Sequence, residues 1–188
     1  MKYLVFVLCL MAATSAGAQK RSLHILLGST IGTLAKENKN DLTPRPGFLL
    51  GLEYWALNAK GNYWSAGINY NAFRRVADKQ KETFEYLNMY ALPLMWALDK
   101  QKKWYFQAGL FSNYLLGQNL DDNGNVINST KKLQRFYVGP SVGIGARLGQ
   151  EGSSKILLAL RNDYGAIGFG KGTAQRFNTI SLVAGIEL

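Results

Sequence analysis

At 188 residues the chain has the length of one ordinary domain, and its 22 Lys and Arg against 12 Asp and Glu give a formal charge of +10. A single cysteine and a single histidine exclude a disulfide framework and any Cys/His metal cluster. No stretch beyond the first segment approaches about 18 uninterrupted apolar residues, which excludes a transmembrane helix there but not a membrane barrel, whose alternating strands flatten hydropathy averages.

The first segment predicts export. Lys2 supplies a positive start, residues 4–13 (LVFVLCLMAA) form an apolar run too short to cross a bilayer, and Ala16-Gly17-Ala18 offers small residues to a signal peptidase. The expectation is a signal peptide over 1–18, with cleavage between Ala18 and Gln19 and Ala16 as the second small recognition residue, and one mature domain over 19–188. Cys9, preceded by Leu8 inside the apolar run, does not read as a lipid-attachment site, and it would leave with the signal. An exported basic protein meets anionic lipid headgroups rather than nucleic acid, so no nucleic-acid partner is expected.

Turn-like segments cut the rest into eight stretches with strand character, near 22–34, 46–58, 62–74, 83–98, 103–117, 134–148, 155–167 and 177–188. In the third, Trp64, Ala66, Ile68, Tyr70 and Ala72 oppose Tyr63, Ser65, Gly67, Asn69 and Asn71. The fourth alternates least cleanly: Asn88 falls on its apolar face, and Pro93, which lacks a ladder donor, predicts a bulge or local edge. The fifth sets Trp104, Phe106, Ala108 and Leu110 against Tyr105, Gln107, Gly109 and Phe111. The sixth and the last are regular; Ile180, Leu182, Ala184, Ile186 and Leu188 share one face of the last, and Thr179, Ser181, Val183, Gly185 and Glu187 the other.

The second face of these strands is small as well as polar. Such residues suit the cramped interior of a narrow barrel of about eight strands, so the apolar face should meet lipid. The connections alternate in length. Those expected to be long lie at 36–46, 75–82, 118–133 and 168–176, and short ones lie between them, as outer-membrane barrels show with long extracellular loops and short periplasmic turns. An eight-stranded antiparallel up-and-down transmembrane β-barrel is the predicted fold.

On that topology all four tryptophans fall near periplasmic strand ends. Trp64, Trp96 and Trp104 have outward parity and Trp55 inward parity; Phe84, Tyr86 and Tyr114, with Phe136, Phe169 and Phe177, lie near the opposite ends. Trp64, Trp96, Trp104, Phe84, Tyr86 and Tyr114 are therefore the expected aromatic girdles, where amphipathic rings settle at headgroup level. The charges read as inward are Glu53, Glu85, Arg147, Arg161, Asp163 and Glu187. Unpaired charge in a narrow lumen is costly, so these should pair into a structural plug.

Tyr86-Leu87-Asn88-Met89-Tyr90-Ala91-Leu92-Pro93-Leu94, the following Tyr105-Phe106-Gln107-Ala108-Gly109 and Tyr114-Leu115-Leu116, and the early Gly51-Leu52-Glu53-Tyr54 and Gly67-Ile68-Asn69-Tyr70 pairs resemble the strands of PorT-like small outer-membrane barrels. The resemblance spans most of the mature chain. It implies an eight-stranded barrel in the outer membrane, and some members of that family are linked to protein secretion.

Chemistry-bearing motifs are sparse. His24 has inward parity and reads as a polar lumen residue without metal or catalytic partners. Asn119, Asp121, Asn123 and Gly124 imitate the start of a calcium loop, but Thr130 stands where a bidentate Glu belongs, and Asp122-Asn123-Gly124 reads more simply as a hairpin turn. No cofactor, metal or catalytic group is expected. Basic residues in the outward connections (Lys36, Lys39, Arg45, Arg74, Arg75, Lys79, Lys81, Lys131, Lys132, Lys171 and Arg176) would face lipopolysaccharide phosphates or serve solubility. Outer-membrane lipids and the barrel-insertion machinery are thus the expected partners. The expected function is a non-enzymatic barrel contributing to envelope structure or surface interaction. The rivals are a lipid-acting barrel enzyme, an accessory barrel of secretion or transport, and a soluble periplasmic lipid-binding barrel.

Overall fold

The computed structural model describes residues 20–35, 43–57, 63–77, 80–98, 103–122, 125–128, 135–149, 155–169 and 176–188. The expected signal segment, with Ala16, Ala18 and Gln19, and the loop residues Lys36, Lys39, Lys79, Asn123, Gly124, Lys131, Lys132 and Lys171 lie outside the described residues, as do the side chains of Phe169, Arg176 and Phe177.

Eight antiparallel strands form the wall: β1 (Lys20–Ala35), β2 (Thr43–Leu57), β3 (Tyr63–Ala77), β4 (Gln80–Ala97), β5 (Trp104–Asp122), β7 (Phe136–Leu148), β8 (Ile156–Gly165) and β10 (Arg176–Glu187). Two short additions, β6 (Asn125–Asn128) and β9 (Ile167–Phe169), pair with β5 and β7. Each strand pairs with its neighbour in the wall, and β1–β10 and β5–β7 pairing closes the ring. The end carrying Lys20 and Leu188 is called proximal, the opposite end distal.

Alternation decides which side of each strand is inside. Leu182 is 62% exposed and Ser181 only 3%; Leu110 is 68% exposed and Ser141 is fully buried. Leu27, Leu50, Leu52, Ile144, Leu160 and Ile186 continue the exposed aliphatic wall, while Asn69, Asn71, Asn88, Gln107, Asn113 and Thr179 are buried in the lumen. A water-soluble sheet does the reverse, because burying apolar area is the main driving force of its folding. A barrel that shows aliphatic side chains outward and keeps its polar ones inside is built for hydrocarbon, where only closed barrels and helices satisfy the backbone.

Two distal connections differ from the sequence expectation. The stretch 75–82 is not a long loop: β3 and β4 continue through it, Ala77 pairs with Gln80, and only residues 78 and 79 lie between. Its charges suggested solvent, yet Arg75 and Glu82 both turn inward and form an ion pair at 3.3 Å. The 118–133 connection is likewise partly strand, since β5 runs on to Asp122 and pairs with Asn125 of β6.

Strand β4 holds the main correction. Phe84 and Tyr86, expected in an aromatic girdle, are buried inside the barrel at 0% and 1% exposure, and Glu85, expected inside, is on the outer face. The cause is a register shift between Ala91 and Leu94, at Pro93. It reverses parity, so that Leu92 and Met95 are both buried and Trp96 faces outward. Reading parity back from Trp96 across this bulge inverts the inner part of the strand, as any one-residue slip does.

Candidate functional site

Among the described residues, polar and aromatic side chains converge in the lumen, where they group in three layers. At the proximal end Arg147 Nη2 donates to both carboxylate oxygens of Glu187, at 2.8 and 3.0 Å, and Nη1 donates to the Tyr63 hydroxyl at 3.2 Å. The guanidinium lies 5.5 Å from the Tyr63 ring centre and 5.8 Å from that of Trp55. Trp55 packs edge-on against Tyr105 at 5.1 Å and against His24 at 5.3 Å. A cavity of about 20 Å³ beside Trp55, Tyr63, Met95, Tyr105 and Arg147 has the room of a single water molecule.

The middle layer is ionic. Asp163 accepts from Asn88 Nδ2 at 2.7 Å and from the Ser141 hydroxyl, and its oxygen lies 3.7 Å from Arg161 Nε. Arg161 also stacks 3.9 Å above the Tyr90 ring and is met by the Asn69 amide oxygen. Glu53 stands nearby, with Ser65, Trp55 and Tyr90 around its carboxylate and the positive charge of Arg161 acting on it. The wall beside this layer is tied by Ser181 Oγ donating to Thr30 Oγ1 at 3.0 Å. Three ionisable side chains are thus gathered at mid-depth, with Asp163 held by neutral donors and by Arg161.

The distal layer is aromatic. Phe73 stacks on Phe84 at 5.0 Å and 18°, Tyr86 meets Phe73 edge-on at 5.9 Å, and Leu115 and Tyr137 complete the cluster. The Arg75–Glu82 pair caps it.

Of the charges read as inward, Glu53, Arg147, Arg161, Asp163 and Glu187 lie in the lumen, in two groups: Arg147 with Glu187, and Arg161 with Asp163 and Glu53. Glu85 belongs to neither, being outside beside Tyr70. Trp96 and Trp104 are exposed and Trp64 half-exposed on the outer wall, with Trp64 against Tyr54 and Trp96 stacked on Phe106, each at 5.6 Å. Tyr114 faces outward near the distal end. His24 sits between Glu187 of β10 and Glu53 of β2, and no group of three or more His, Cys, Asp or Glu side chains able to hold a metal ion occurs among the described residues. Asn119 and Asp121 lie within β5, paired with β6, and do not form a loop around a cation.

Sequence reasoning put Trp55, Tyr105 and Phe111 on the inner face but missed the β4 rings Phe84, Tyr86 and Tyr90. For Tyr90 and Tyr105 the sequence does hold a signal, a glycine on the paired strand. Gly67 pairs with Tyr90 and Gly145 with Tyr105, each ring lies over its glycine on the adjacent strand, and a Cβ at either glycine would collide with the tyrosine hydroxyl. Small residues on one strand make the space for rings on the next, which is how narrow barrels fill. Gly67→Ala would also meet the Leu52 carbonyl oxygen at 2.7 Å. Overpacking of this kind should cost about 1–3 kcal/mol, read as a lower urea midpoint of the folded barrel in detergent micelles.

A closed eight-stranded antiparallel up-and-down barrel, aliphatic outside and polar inside, defines the fold class of transmembrane β-barrel proteins. The sequence matches no protein-family model and no curated protein. Among solved structures, the barrel is similar to Neisserial surface protein A (NspA), with a TM-score of 0.57 and 13% identity over 92% of this chain and 98% of that one. Ail, the attachment invasion locus protein of Yersinia pestis, matches with a TM-score of 0.46 and 15% identity over 89% of this chain and 97% of its own. The likeness to NspA is one of fold.

Proposed function

We propose that the protein is a non-enzymatic integral barrel of a Gram-negative outer membrane, with a plugged lumen, contributing to envelope structure or surface interaction. The observation that carries this is the sidedness: aliphatic residues such as Leu182 and Leu110 outside, and the Arg161–Asp163 layer between two aromatic layers inside. A soluble lipid-binding barrel would line its lumen with the aliphatic side chains that here face out. Export through the 1–18 segment, cleavage at Ala18 and hand-over to the barrel-insertion machinery fit this placement, with the proximal end in the periplasm. The PorT-like strand motifs around Tyr86 and Pro93 support grouping the chain with those barrels.

Two measurements test the proposal together. The folded protein should sediment with outer membranes and migrate faster before boiling than after, as closed barrels do. Reconstituted in a planar bilayer, it should show no resolvable single-channel conductance, because three packed layers block the lumen. Sedimentation with the periplasmic fraction would sink the membrane placement, and stable conductance steps would sink the plug.

A further inference from the structure

On the outer wall near the distal rim, two arginines stand side by side. Arg45 of β2 pairs directly with Arg74 of β3, and both are exposed. Directly opposed side chains of a sheet sit with Cβ atoms about 4.5–5.5 Å apart, and like charges so placed repel. Among the described residues neither arginine forms an ion pair. On the next strand Glu85 of β4, opposite Ala72, is engaged with the Tyr70 hydroxyl.

The pairing is made by a bulge. Below it Phe48 pairs with Ala72, and above it Arg45 pairs with Arg74, a shift of one residue in register. Without the shift Pro46 would oppose Arg74, and Arg45 would turn inward opposite the buried Arg75. The bulge is anchored: Ser29 Oγ donates to the Gly47 carbonyl at 3.0 Å, and Gly47 lies so close to the Ala72 carbonyl that a side chain there would collide with it. Bulges commonly re-aim a side chain at the rim of a barrel. This one brings a second guanidinium out beside the first at an electrostatic cost that only an anion would offset.

The height identifies the anion. One step below the arginines the apolar wall begins, with exposed Phe48 and Leu50, and Phe48 lies 5.6 Å from the Tyr70 ring. Outward aromatic pairs mark the headgroup level of a barrel. Two planar guanidinium forks match phosphate oxygens in geometry and charge. We propose that Arg45 and Arg74 bind the phosphate of a phosphorylated glycolipid in the outer leaflet, its acyl chains lying along Phe48, Leu50 and Tyr70. This rests on the outer-membrane placement proposed above.

The test uses the full barrel folded into phosphatidylcholine vesicles with and without diphosphorylated lipid A, with native mass spectrometry counting the lipid A retained per barrel after gentle extraction. The wild type should retain it, and R45Q/R74Q should retain about tenfold less, the loss of two charge-assisted contacts, while still floating with vesicles and shifting on boiling. K103Q, at the opposite rim, should retain as much as the wild type. Equal retention by R45Q/R74Q, or equal retention of dephosphorylated lipid A, overturns the site. If excess inorganic phosphate alone displaces the lipid, the arginines hold free phosphate and the lipid assignment fails. A barrel that does not float with lipid-A-free vesicles fails earlier, at the membrane placement itself.

Discussion

Arg161→Ala is expected to destabilise the folded barrel by about 3–5 kcal/mol, the usual cost of removing one partner from a buried ionic group. Arg161 is 3% exposed and, among the described residues, is the cation at mid-depth that faces two carboxylates, Asp163 and Glu53. Its loss leaves both acids in a closed lumen, removes the guanidinium stacked on Tyr90 and strands the Asn69 amide that meets it. The measurement is the urea midpoint of the heat-modifiable band in detergent micelles. The second arm is R161M/D163N, which removes the cation together with its closest acid. It should recover part of the loss, since the Asn oxygen can still accept from Asn88 and its Nδ2 can donate to the Ser141 hydroxyl, while Glu53 remains. A double variant as unstable as the sum of its single variants would mean that the two residues are not coupled and that packing alone explains the layer.

Leu182→Arg carries the second large effect and tests the sidedness directly. Leu182 is 62% exposed at the middle of β10, between Ser29 of β1 and Leu160 of β8. If water covered it, arginine would be tolerated at almost no cost. Facing the centre of a bilayer it should cost about 2–4 kcal/mol, whereas Leu188→Arg at the proximal end should cost about 0–1 kcal/mol. Unfolding in phosphatidylcholine vesicles measures both, and equal small effects at the two positions would sink the lipid-facing wall. Together the two substitutions probe independent halves of the design, since Arg161 acts through the lumen and Leu182 through the solvent outside.

The regular strands were legible because period-two alternation survives without any knowledge of the partner strand. In β10 and β7, Ile180, Leu182, Ile144 and Val142 fall outward, and Ser181, Thr179, Ser141 and Gly143 inward, as their sequence parity requires. The inward charges Arg147 with Glu187, and Arg161 with Asp163, were legible for the same reason, each lying on a regular strand. Strand β4 was not. Its parity reverses at Pro93, so Trp96 and Tyr86 face opposite sides although both are even-numbered, and Phe84, Tyr86 and Glu85 were read onto the wrong faces. Asn88, on the same face as Phe84 and Tyr86, was the local sign that this face is the lumen. Arg75 and Glu82 were taken for loop charges because nothing within 75–82 reveals that the two residues pair across a hairpin.

The amino-acid sequence by itself determined the number of wall strands, their antiparallel course and the outward turn of the aliphatic faces, because these follow from alternation and turn residues along the chain. Only the tertiary structure decided what fills the lumen and where charges meet. Rings such as Tyr90 and Tyr105 need a glycine on a neighbouring strand, and Arg45 meets Arg74 only through a one-residue bulge. Register between strands is a property of pairs, set where backbone ladders, bulges and side-chain volumes are satisfied together, and no single strand carries it.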